Sequence, residues 1–312
     1  MKEMTMKMAE KAIKKRKPFT KNEWIYFGML SLSLVYIFIF NYIPMFGVII
    51  SFQDFNPARG FLKSEWVGWY NFEMVFTSSK IGQVFLNTVI LSVTKMFFNY
   101  TIPILFAILL DEVFHVRYKR SIQTMVYLPN FLSWVILGFT FKQMFGYNGL
   151  VNNIITLFTD KPILFFEDNT WFRIMVIATD AWKDFGAGAI IYIAALTNVN
   201  PNLFEAAEMD GASRFQRIIH VSLPALKPLM LLNLTLSLGG VLNSDFGQIF
   251  NLYNPTVYES ADVLATYVYR MGLVGGEMGY SAAVGLLNSV ISLVLVLTSW
   301  WLAQKYSDYR IF

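Results

Sequence analysis

Asp180, Lys183 and Asp184 put two carboxylates and an ammonium within about one helical turn of each other. Carboxylates one turn apart in an apolar helix can relay protons or hold ions at depth. The plainer reading is an interfacial salt-bridge cluster, because all three fall near the expected outer end of their apolar run. Lys95, with Asn99 one turn on, is a second polar pair inside an apolar stretch. It reads as a ligand contact, or as a helix–helix partner or a side chain snorkelling to the interface. Asn233, Asn243, Ser244 and Asp245 form a third series of hydrogen-bonding groups, and Tyr192 and Trp182 offer rings on which a ligand can stack. The bland reading of these is polar glue between helices.

Catalytic chemistry has no comparable footing. No G-x-x-x-x-G-K-[ST], H-E-x-x-H or G-x-S-x-G occurs in the sequence. Gly272, Gly275, Gly276 and Gly279 follow no strand and read as a flexible loop rather than a phosphate cradle. Cysteine is absent and there are two histidines, which excludes a disulfide framework and Cys/His zinc chemistry. No catalytic residue, metal or cofactor is expected, and nothing points to nucleic acid.

The elements that carry these residues follow from composition. Of 312 residues, 55% are hydrophobic, 17% aromatic and 15% charged, against about 25% charged in soluble domains. A soluble fold of this size cannot bury so much apolar surface, and disorder is excluded for the same reason. Apolar runs of ~20 residues, the length that crosses the bilayer, occur at Trp24–Ile50, Val84–Leu110, Ile122–Phe145, Trp171–Leu196, Leu223–Asn243 and Tyr280–Ala303. The expected class is an all-α polytopic membrane protein with six transmembrane helices. The first run is too long for a signal peptide and lacks a small-residue cleavage site after it, so it is expected to be retained. Residues 1–23 form a basic segment, and 24–312 a single six-span domain.

Lys and Arg set the orientation. The first 23 residues, the 111–121 and 197–228 connections and the tail carry 16, and the opposite loops carry 5. The net charge of +4 matters less than this asymmetry. Both termini are therefore expected in the cytoplasm.

The inner connection Asn200–Pro228 has legible local physics. Asn200 is a helix N-cap with Pro201 at the first position. Gly211 supplies a stop at positive φ, and Ser213 and Gln216 form a capping box for a second short helix. Leu223 and Pro224 return the chain to the membrane. Ala206 and Ala207 give this elbow a low profile, and Glu205 and Glu208 offer carboxylates. An interfacial helix would carry Lys and Arg on its polar face instead, so docking to another protein fits better.

These residues resemble a known pattern. Glu205-Ala206-Ala207, Asp210-Gly211-Ala212, Leu223-Pro224 and Pro228 are similar to the EAA loop of the permeases of binding-protein-dependent ABC importers, with Val221 where the family has Ile. Tyr42–Gly47, Trp66–Gly68, Tyr127–Trp134 and Leu252–Pro255 resemble the carbohydrate-uptake permeases of the complex polysaccharide and oligosaccharide group. The resemblance covers about residues 24–312. It implies a type I ABC importer permease fold in a bacterial cell membrane. It also implies a second permease, two ATPase subunits, an extracytoplasmic solute-binding protein and an oligosaccharide substrate. Glu205, Ala206, Ala207, Asp210, Gly211, Ala212, Leu223 and Pro224 would then couple to the ATPase. Lys95, Trp182, Lys183, Tyr192, Asn233, Asn243 and Asp245 would be candidates for the substrate path. Two rivals stay open on the sequence: an ion-driven secondary transporter, which predicts inverted repeats and broken spans in both halves, and a non-transporting membrane scaffold.

Overall fold

A computed structural model describes residues 20–113, 115–242 and 246–306. Most of the basic N-terminal segment, Asn243–Asp245 and the last six residues lie outside them. The chain divides into two units, Met1–Ile49 and Ile50–Phe312.

In the first unit, α1 (Lys21–Ile37) begins at a capping box. The Thr20 N–H donates to the Glu23 carboxylate at 2.6 Å, and the Glu23 N–H donates back to the Thr20 hydroxyl at 3.4 Å. The helical path widens into a π turn at Phe38–Tyr42, just before Pro44. Pro44 has no N–H to give the Phe40 carbonyl, and a wider turn accommodates the loss.

The second unit opens with a two-residue antiparallel pair, β1 (Gln53–Asp54) with β2 (Glu65–Trp66). The buried Asn71 amide ties it to α2 (Tyr70–Thr77) by donating to the Ser51 and Gln53 carbonyls, each at 3.0 Å. Then follow α3 (Ser79–Asp111), α4 (Val116–Tyr127), α5 (Trp134–Phe145) and α6 (Asn169–Thr197). The connection that follows holds α7 (Pro201–Met209) and α8 (Arg214–Arg217). After it come α9 (Leu223–Gly239), α10 (Phe246–Leu252), α11 (Leu264–Tyr269) and α12 (Met278–Tyr306).

Three buried clusters hold this unit together. Ile104, Ala107 and Ile108 of α3 meet Ala189, Tyr192 and Leu196 of α6 and Leu226 of α9. Further along the same helices, Leu91 and Val176 pack on Ile249 and Leu252 of α10. Phe72, Val84 and Leu264 pack on Tyr280 and Val284 of α12. At Gly186 the backbones come so close that a Cβ would stand 2.1 Å from the Val126 carbonyl oxygen.

The span boundaries differ from the sequence expectation in three places. The run Ile122–Phe145 is broken: the helical segments Val116–Phe131 and Trp134–Ile155 meet at 100°. Pro129 interrupts the hydrogen-bond ladder, and Ser133 starts a new helix by accepting from the Ile136 N–H at 3.3 Å. α6 starts at Asn169, and Lys183 is the middle residue of its 29. The charged cluster is therefore ~16–23 Å along a helix of ~43 Å, in its middle and not near the end at which the sequence places it. The fifth run is already helical from Arg214 and ends at a turn around Gly240. Among the described residues, 4 helices are long and apolar enough to cross a membrane, or 5 with the bent pair. α6 is long enough, but Arg173, Asp180, Lys183 and Asp184 lower its hydropathy.

The Gly186 contact gives a stability prediction. Gly186→Ala should cost about 1–3 kcal/mol by overpacking, read as a lower melting temperature of the detergent-purified protein. Gly82→Ala, where a Cβ meets nothing within 4 Å, should leave it unchanged or raise it slightly.

Candidate functional site

One face of α3, one of α6 and one of α9 line a partly open polar chamber of about 440 Å³. The contributing residues keep helical spacing: Ser92, Lys95 and Asn99 on α3, then Asp180, Asp184, Gly188 and Tyr192 on α6, then Asn233 and Ser237 on α9. At its heart the buried Lys95 ammonium pairs with the buried Asp180 carboxylate, Nζ to Oδ1, at 3.1 Å. Asn99 donates to the other carboxylate oxygen at 2.7 Å. Lys95 also donates to the Gln248 side-chain carbonyl. Gln248 is fully buried, and its amide donates to the Val176 carbonyl at 2.7 Å and the Thr179 hydroxyl at 2.9 Å. A buried charge is tolerated only when paired and hydrogen-bonded, and this network meets both conditions.

A second pair flanks the chamber at the broken span. The Asn130 amide donates to the Asp184 carboxylate at 2.8 Å, and the Lys183 ammonium donates to the Asn130 carbonyl at 3.2 Å. Lys183 lies 3.5 Å from Asp184 and 5.5 Å from the centre of the Trp134 ring. Asn233 donates to the Tyr192 hydroxyl at 3.1 Å, bridging α9 and α6.

The connection between α10 and α12 is pinned separately. Arg270 pairs with the buried Asp262, and its guanidinium stacks 4.2 Å over the Tyr258 ring. Burial pushes the Asp262 carboxyl above the usual range, although the Thr266 hydroxyl and Arg270 pull it back.

At the other end of the bundle, α7 and α8 form the elbow. The Asn200 side chain accepts from the Asn202 N–H at 3.0 Å, with Pro201 following. The Ala212 N–H donates to the Ala207 carbonyl at 2.9 Å and the Gly211 N–H to the Glu208 carbonyl at 3.0 Å. This is a Schellman stop, and it places Gly211 at φ +78°. The Ser213–Gln216 capping box starts α8. A π turn, Ile218–Ser222, then carries the helix into α9 just before Pro224. Arg217 pairs with Glu208 at 3.4 Å across the elbow. Leu203, Met209 and Phe215 are apolar yet exposed on it, and the acidic Glu205 and Asp210 are exposed beside them.

A family model described as "Binding-protein-dependent transport system inner membrane component" matches residues 99–308. The chain belongs to this family. It is 38% identical to Protein LplB of Bacillus subtilis (strain 168) over 293 residues, 94% of this chain and 92% of that one. It is 37% identical to the polygalacturonan/rhamnogalacturonan transport system permease protein YteP of the same organism, over 94% of this chain and 91% of the relative. A chain in the crystal structure of a bacterial ABC transporter involved in the import of the acidic polysaccharide alginate superposes with TM-score 0.85. It is 34% identical, over 92% of this chain and 98% of that one. The ABC importer permease expected from the EAA loop, and its sugar class expected from Tyr42–Gly47, Trp66–Gly68, Tyr127–Trp134 and Leu252–Pro255, are thus what is found.

Within this permease the chamber brings together Lys95, Tyr192 and Asn233. Lys183 stands at its flank through Asp184. Trp182 does not face it: the indole lies in a separate apolar cleft with Phe98 and Phe185 and meets the Phe141 ring edge-on at 5.7 Å. Asn243 and Asp245 lie outside the described residues. Asp180 and Gln248 complete the site without having been singled out for it. Asp180 had a signal, since a carboxylate deep in one span and an ammonium deep in another call for each other. Gln248 falls in what reads as an outer loop and had none.

The network predicts coupled stabilities. Lys95→Met or Asp180→Asn alone should destabilise by about 3 kcal/mol, because each strands a buried partner. The double variant should recover much of that loss. Thermal melting of the purified variants in a double-mutant cycle checks this.

Proposed function

We propose that the chain is one of two permease subunits that form the path of an ATP-driven oligosaccharide importer. It crosses a bacterial plasma membrane six times, with both termini in the cytoplasm. A solute-binding protein delivers substrate at the outer loops, and two ATPase subunits dock at the elbow. The carrying observation is mechanical: a continuous helix runs from Arg214 in the elbow to Leu238 beside the chamber. A push on α7 and α8 moves α9 as a lever, and with it Asn233 and Ser237 in the chamber wall. The exposed Leu203, Met209 and Phe215 are the apolar core that such a docking surface needs, with Glu205 and Asp210 at its rim. Ammonium, carboxylate, amide and phenol groups line the chamber, and these suit a ligand rich in hydroxyls. The permeases for alginate and polygalacturonan among the relatives support the oligosaccharide class. One of them was crystallised with an alginate pentasaccharide-bound periplasmic protein, which supports the binding-protein partner. Only one span is broken, so the paired breaks of an ion-driven transporter have no counterpart among the described residues.

Topology is tested by single cysteines, since the chain has none of its own. Lys161→Cys should react with an impermeant thiol reagent on intact cells, and Arg214→Cys should not; the reverse pattern contradicts the orientation. Coupling is tested at the elbow. Gly211→Val should insert normally yet lose binding-protein-stimulated ATP hydrolysis, because a β-branched residue strains at φ +78° by ~1–2 kcal/mol or more. Gly211→Asn, which tolerates that conformation, should retain most of it. Glu205→Lys should lower ATPase co-purification. Wild-type transport by both Gly211→Val and Glu205→Lys would remove the elbow from the mechanism.

A further inference from the structure

The side of α6 away from the chamber carries an amphiphilic stripe. Thr170 and Arg173 begin it, and Ile174, Ile177, Ala181 and Trp182 continue it at helical spacing. Below Arg173 lies an apolar cleft of about 530 Å³, walled by these residues and by Phe98 and Ile102 of α3. Above it lies a polar pocket of about 380 Å³ that includes Gln83, Asn169, Arg173 and Glu259. The two are contiguous, because Ile174 and Ile177 line both. From Arg173 to the foot of the cleft at Phe185 is ~18 Å along the helix, a little over half of a ~30 Å hydrocarbon core.

The charges at the polar end are not spent on each other. Arg173 donates to the Asn87 side-chain carbonyl at 2.7 Å and to the Ser260 carbonyl at 3.3 Å. Among the described residues it pairs with no carboxylate. Glu259 serves the scaffold through its backbone carbonyl, which accepts from Gln83 and Asn87 at 2.8 Å each. Its carboxylate makes no salt bridge among the described residues. One cation and one anion thus crown an apolar slot at the beginning of a membrane helix.

We propose that this combined site binds a phospholipid with an ethanolamine headgroup. The phosphate would sit against the Arg173 guanidinium, the ammonium against the Glu259 carboxylate, and one acyl chain in the cleft beside Trp182. A glycerol headgroup offers Glu259 no cation. A trimethylated choline cannot donate hydrogen bonds to it. The site is independent of sugar transport, so it stands or falls separately from that function.

Native mass spectrometry of the detergent-purified transporter with defined lipids tests it. Phosphatidylethanolamine should be retained about tenfold better than phosphatidylglycerol or phosphatidylcholine, the worth of one charge-assisted hydrogen bond. Arg173→Gln should weaken retention of all three. Because Arg173 also braces the Ser260 turn, Glu259→Gln carries the test: its side chain is free of the scaffold, and it should abolish the preference over phosphatidylglycerol. Soluble glycerophosphoethanolamine should not compete, since it cannot fill the cleft. The proposal is overturned if the wild type retains no phospholipid or if Glu259→Gln keeps the preference. It is equally overturned if the soluble headgroup competes as well as the lipid, or if a second permease in the assembly displaces the lipid completely.

Discussion

A lysine at the midpoint of a 33-residue apolar helix has to be neutralised where it stands. Lys95 is too far from either end of α3 to snorkel, and an unpaired ammonium at that depth would cost more than the fold can supply. Asp180 answers it from α6 at 3.1 Å, and the pair fixes the axial register of the two longest-packed helices in the unit. Asn99 and Gln248 then complete the hydrogen bonds that make the pair tolerable, and Gln248 thereby draws α10 onto the same spot. A polar chamber in a membrane protein exists here because this pair keeps polar groups at depth and amides and a phenol around it supply hydrogen bonds, as Asn99 does to Asp180 and Asn233 to Tyr192.

The second constraint is continuity. Pro224 would ordinarily end a helix or force a kink. Instead a π turn over Ile218–Ser222 absorbs its missing N–H, so that elbow and span remain one rod. The same arrangement precedes Pro44 in the first unit. A lever needs a stiff arm and a defined joint. In the proposed lever that joint is Gly211, whose positive φ turns the chain sharply between two capped helices, and nothing stands within 4 Å of where a Cβ would be. Its requirement is conformational, not spatial. In the function proposed here, motion would enter at the elbow, and the polar groups of the chamber stand at the other end of the same helix.

The elbow was legible because its signals are local. Asn200, Gly211 and Ser213 with Gln216 each act within one or two turns of their own position, and the structure shows every one of these caps. Lys95, Asn99, Tyr192 and Asn233 were legible as polar groups in apolar runs. Trp182 has a ring of the right type but the wrong face: two residues from Asp180, it projects from the opposite side of the helix. The depth of Asp180 was hidden because hydropathy marks the edge of a span by its charges, and here the charges are in the middle. The break at Leu128–Ser133 was masked by its own apolar composition. Gln248 needed the three-dimensional path of a connection that turns back into the bundle, which no local pattern encodes.

In the proposed function the chamber is part of a path whose opening is set by the elbow. A single cysteine at Ser237 on α9, in the assembled transporter in vesicles, tests it directly with thiol reagents applied from either side. Labelling is expected from the cytoplasmic face without nucleotide and from the outer face when ATP is trapped on the ATPase subunits. Labelling that ignores nucleotide, or that never reaches Ser237 from either side, would contradict it.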